Sequence, residues 1–152
     1  MGSAAKKYML PLGIIKVFEF LFLLVAWTTS ISAQTDGGTE YVKKYFDGSE
    51  VRPAFHIAMC ILSWVFVVFW FILGVGGILG KCHGIVSSIF HFVLGVMLLV
   101  ASSLVTDVIS GTENDKYLTS CAFGLISAIV MLIDAFVHVF MGLADPKPDE
   151  AS

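Results

Sequence analysis

Four membrane-crossing helices in an antiparallel up-down bundle, an all-α integral membrane fold, are what this sequence predicts, and three observations carry that reading. Of its 152 residues 57% are hydrophobic and only 14% charged, against about 45 to 50% apolar residues in a soluble domain, and its mean hydropathy is +0.89. Four apolar runs, 10–33, 54–79, 84–105 and 117–143, each approach or exceed the roughly 20 residues needed to cross a hydrocarbon core of about 30 Å. The connectors between them, 34–53, 80–83 and 106–116, are short. The net charge of −3 is scattered over loops and tails. No basic stripe of the kind that tracks phosphates is present, which argues against nucleic-acid binding.

The chain starts with a short polar lead, residues 1–8, that carries Lys6 and Lys7. Gly2 fits a myristoylation signal but Lys6 stands where that motif needs Ser or Thr. The first run holds Lys16 and Glu19, three apart and so on one helical face. Ionised groups at such a place must face other helices or headgroups. A cleaved signal peptide ending near Ser32 or Ala33 is the alternative, and the two charges fall where its uncharged core should be.

The connector 34–53 contains Gly37, Gly38 and Gly48 and most of the loop charge, marking it as solvent-facing. Within it Tyr41, Val42, Tyr45 and Phe46 share one helical face. The segment reads either as a helix lying on the headgroups or as an irregular loop. Trp27 and Tyr117 fit an interfacial aromatic belt on the same side.

The second run is dense in aromatics and ends in Gly74, Gly76, Gly77 and Gly80. Gly76 and Gly80 have the spacing that lets helix backbones approach closely, and glycines at a helix end also serve as terminators. The tiny connector 80–83 makes the second and third helices an antiparallel hairpin. After the fourth run, the acidic tail 144–152 carries Pro146 and Pro148, which block helix continuation.

With the amino terminus cytoplasmic, that side holds Lys6, Lys7, Lys16, Lys81 and Lys147, against Lys43, Lys44, Arg52 and Lys116 outside. The positive-inside rule leans only slightly this way. An even number of spans then places both termini in the cytoplasm. Counted from those ends, Glu19, His91 and Asp134 all lie roughly 10 to 14 Å deep at about 1.5 Å per residue, with Lys16 and His138 about one turn nearer the surface. Five ionisable side chains from three helices therefore share one slab.

Each also belongs to a stripe of small or polar residues: Lys16, Glu19, Leu23, Ala26 and Ser30; Ser88, His91, Gly95 and Ser102; Gly124, Ser127, Met131, Asp134, His138 and Gly142. Such stripes are the contact faces of membrane bundles. The bland reading of the slab is mutual satisfaction of buried charge, because isolated charges in lipid cost several kcal/mol. The sharper one is a proton or cation path. That path lacks a second polar layer in the other half, where His56 is the lone ionisable group. A metal site of His91, Asp134 and His138 has no recognisable ligand spacing, and no metal or cofactor is assigned.

Cys60, Cys82 and Cys121 fall in helices or in the short turn, and neither outer loop has a cysteine. An extracellular disulfide is thereby excluded, which separates the chain from claudins, tetraspanins and connexins. Cys82, juxtamembrane and beside Lys81, is a candidate for palmitoylation or a plain buried thiol. No sequon, phosphate-binding loop, metal motif or nucleophile with a base is found.

The run Pro11 to Trp27, with Glu19 between Phe18 and Phe20, resembles the opening helix of MARVEL-domain proteins, notably the myelin and lymphocyte protein and plasmolipin group. Residues 122–128 followed by Asp134, Ala135 and Phe136 resemble that domain's last helix. The likeness covers about residues 8–143, and it departs from the family pattern at Lys16 and in the lack of cysteines near the outer loops. It implies a non-enzymatic protein of membrane apposition, cell junctions, vesicle trafficking or lipid-domain organisation, one that associates with cholesterol- and sphingolipid-rich membrane and with itself or other membrane proteins. Plasma membrane, junctions or secretory and endosomal vesicles are the locations this implies. A small proton or cation transporter, or an accessory subunit of a larger membrane complex, are the competing readings.

Overall fold

The computed structural model describes residues 3–35, 51–75, 83–109 and 115–144, with side chains over 13–35, 51–73, 85–109 and 115–140. All of the described chain is helical: α1 Ser3–Thr35, α2 Val51–Val75, α3 His83–Ile109 and α4 Asp115–Ala144. Each contains a stretch long and apolar enough to cross a membrane. The expected segment Tyr41 to Phe46, and Gly76, Gly80 and Cys82, lie outside the described residues.

Helices α1, α3 and α4 run beyond the apolar segments that announced them, and α2 begins ahead of its own, at Val51. Hydropathy registers only what sits in hydrocarbon, whereas Ser3, Ala4, Ala5, Lys6 and Lys7 extend α1 beyond Leu10 and α3 runs on to Ile109. Pro11 therefore lies inside α1, where it has no N–H to give the Lys7 carbonyl, a loss that membrane helices tolerate. Pro53 occupies the first turn of α2, where the N–H would lack an intrahelical partner anyway. Asp115 in the first turn of α4 complements the helix dipole.

Neighbouring helices run antiparallel, as the cross-helix pairs require. Going up α1 from Lys16 to Ser30 is going down α4 from Asp134 to Ser120. Phe20 and Trp27 of α1 both meet Trp64 of α2, at 5.4 and 5.9 Å between ring centroids. Phe66 of α2 lies 5.3 Å from Phe90 of α3, and α3 makes the most extensive packing with α4.

The middle of the bundle is apolar, with Leu23, Ala26, Leu98, Ala101, Ala128 and Met131 wholly buried. A second cluster of Ala33, Val105, Ile109, Tyr117 and Cys121 closes one end. Ile14, Phe18, Leu62, Phe69, Phe92 and Phe136 are exposed on the outside, an apolar surface suited to acyl chains and not to water.

Trp27 packs against the central core and Tyr117 is fully buried. Their apolar ring area joins neighbouring helices.

Two glycines mark close approaches. A Cβ on Gly95 would lie 3.2 Å from Leu132 and 3.3 Å from the Ala128 carbonyl oxygen, and one on Gly124 would collide with Ser102 Oγ and His56 Cε1. Ser127, in the same stripe, is wholly buried with its hydroxyl tied to the Phe123 carbonyl at 2.7 Å.

Candidate functional site

Among the residues with described side chains, the stripes read from sequence are the buried faces of α1, α3 and α4, and they converge on Lys16. Its ammonium donates to Glu19 Oε2 at 2.9 Å, to Asp134 Oδ2 and to His91 Nε2. An ammonium has three N–H bonds, so all three are committed, each to a different residue. Glu19, His91 and Asp134 are wholly buried, and Lys16 and His138 are 7% exposed.

Helix geometry fixes the histidines. His91 Nδ1 donates to the Ser87 carbonyl one turn back at 2.7 Å, and His138 Nδ1 donates to the Asp134 carbonyl at 2.9 Å. A carbonyl can only accept, so each Nδ1 carries its hydrogen and each neutral ring presents Nε2 as the acceptor. That is the nitrogen His91 offers to Lys16. The two imidazoles stack at 5.5 Å between centroids, 15° from parallel, and Phe66 of α2 closes on His91 edge-on at 5.1 Å. Ser88 Oγ donates to the Ala135 carbonyl at 2.7 Å, sealing α3 against α4 beside the cluster.

The five ionisable residues expected in one slab are thus brought together. The geometric grouping that offers metal-ligand atoms is Glu19, His91 and Asp134, whose donor atoms lie within 4.8 Å of one another. Glu19 replaces His138 in the set suggested by sequence. Lys16 already supplies a cation to that same trio.

A second polar layer, which sequence reasoning missed, surrounds His56. Ser120 Oγ donates its single hydrogen to the Ala26 carbonyl at 2.6 Å, so it must accept from His56 Nε2 at 3.0 Å. His56 Nε2 therefore bears the hydrogen, and Ser102 Oγ donates to Nδ1 at 3.3 Å. Ser30 Oγ completes the layer 3.0 Å from Ser120 Oγ. Gly124 is what admits the imidazole, since a side chain there would occupy its place. Ser120 falls four residues before Gly124 on a stripe already recognised, so one more step along it would have found the residue.

Four apolar spans closed around buried charge define a multi-pass integral membrane protein. The MARVEL family model, described as a membrane-associating domain, matches residues 8–137, and the chain belongs to that family. Comparison with curated proteins and with solved structures gives no match. In that frame Phe18 faces outward, Glu19 is buried, and Phe20 packs on Trp64.

Proposed function

We propose that this chain is a non-enzymatic organiser of membrane, acting through its lipid-facing surface and contacts with neighbouring spans, in apposition, junction or vesicle traffic, with both termini cytoplasmic. One observation carries this reading. Every ionisable side chain described within the charged layer is turned inward and engaged with its fellows, while the outside is left to large apolar residues. A protein arranged in this way offers its surroundings shape and apolar surface instead of a reactive group.

Conduction is less well supported than that. The charged layer and the His56 layer are about 16 Å apart along α1 from Glu19 to Ser30, and between them Leu23, Leu98 and Met131 are wholly buried, with only the separate hydroxyls of Ser63 and Ser127 described as polar side chains there. A path for ions needs polar groups or water there.

Phase-separating vesicles containing cholesterol and sphingolipid test the organiser reading. The reconstituted chain should concentrate in one lipid phase and associate with itself, while the vesicles stay as tight to protons and cations as protein-free ones. Uniform distribution as monomers, or flux abolished by Glu19→Gln or Asp134→Asn, contradicts it.

A further inference from the structure

We propose that the Lys16 cluster is a binding site for one exchangeable proton, reached from the end of the bundle where α1 begins and α4 finishes, and closed towards the opposite end. With both imidazoles neutral, one ammonium faces two carboxylates and the cluster carries one excess negative charge, in residues no more than 7% exposed. An uncompensated charge in a dry interior is relieved by taking up a proton. Lys16 can offer nothing further, because its three N–H bonds already serve Glu19, His91 and Asp134.

One place awaits that proton. Glu19 Oε1 is buried without a hydrogen-bond partner, although the other oxygen of the same carboxylate is engaged. His91 Nε2 and Asp134 Oδ2, 3.1 Å apart, both accept from the Lys16 ammonium, so the one lone pair of Nε2 is already taken and the proton belongs on the carboxylate.

Access is asymmetric. His138 and Lys16 retain a little exposure, whereas Glu19, His91 and Asp134 have none. His138, stacked on His91 and 3.2 Å from Asp134 Oδ1, stands on the side of the cluster that keeps this exposure. In the other direction stand Leu23, Leu98 and Met131, all wholly buried, and on α2 the buried hydroxyl of Ser63. The hydroxyl of Ser127 in that region is already given to its own helix. The titratable groups facing the site are Lys16 and Glu19 from α1, His91 from α3, and Asp134 and His138 from α4. Among its described side chains α2 presents Phe66 here, with Arg52, His56 and Cys60 far along the helix.

The test is an infrared and histidine-nitrogen NMR titration of the full chain in lipid vesicles, sorted by orientation with a tag on the carboxyl-terminal tail. A carboxylic-acid carbonyl band should titrate with one proton per chain, following the pH on the tagged side only, with the imidazole signals unchanged and no proton leak into dye-loaded vesicles. Glu19→Gln, or Asp134→Asn should the first fail to fold, removes the excess charge and should abolish the step. A carboxyl band that stays flat in the wild-type chain overturns the proposal, as does a step surviving both substitutions. A response to pH on the untagged side, or proton flux, overturns its one-sided access.

Discussion

The layer built on Lys16 and the layer built on His56 hold the same helices together with opposite chemistry. Around Lys16 the connections among α1, α3 and α4 run through formal charges, and each acceptor depends on one ammonium. Around His56 the connections among α1, α2, α3 and α4 run through neutral hydroxyls, a backbone carbonyl and one imidazole. Removing a member of a neutral network forfeits only that member's own bonds, about 0.5 to 1.5 kcal/mol net each. A charged one loses the compensation of everything that remains. The charged layer is therefore specific and fragile, and the hydroxyl layer tolerant.

Substitutions can break or sharpen that contrast. Lys16→Met should have the largest effect, destabilising the bundle by about 3 to 5 kcal/mol because two buried carboxylates lose their cation, read as unfolding in mild detergent. Gly124→Ala follows at about 1 to 3 kcal/mol, since the new methyl must displace Ser102 or His56. The same measurement should place Ser120→Ala at about 1 to 2 kcal/mol, since its hydroxyl gives a hydrogen bond to the Ala26 carbonyl and takes one from His56 Nε2. Phe69→Ala, exposed on the lipid-facing side of α2, should change unfolding by less than about 0.5 kcal/mol. A Ser120→Ala cost equal to that of Lys16→Met would erase the distinction between the layers.

Much of this arrangement was legible in the sequence, and the reason is physical. In an apolar chain a polar or small residue stands out, and spacings of three and four put such residues on one face, so Lys16, Glu19, His91, Gly95, Gly124, Asp134 and His138 could be assigned to contact faces, and the five ionisable ones among them to one depth. The His56 layer stayed hidden because serines are common and neutral. Only their partners reveal that Ser30, Ser102 and Ser120 share one imidazole. Trp27 and Tyr117 also serve helix contacts, because an amphipathic ring suits both a headgroup region and a helix neighbour. Helices run past the apolar segments because hydrogen bonding continues where hydropathy stops.

A double-mutant cycle between Lys16 and Asp134 tests most directly whether the bundle closes around its own charges. The individual substitutions Lys16→Met and Asp134→Asn and their combination are compared by unfolding in one detergent. The double variant should be more stable than the sum of the single effects allows, by at least about 1.5 kcal/mol, a coupling expected of residues in one buried network. Additive effects would mean that Lys16 and Asp134 do not depend on each other, and that the helices are joined by something else.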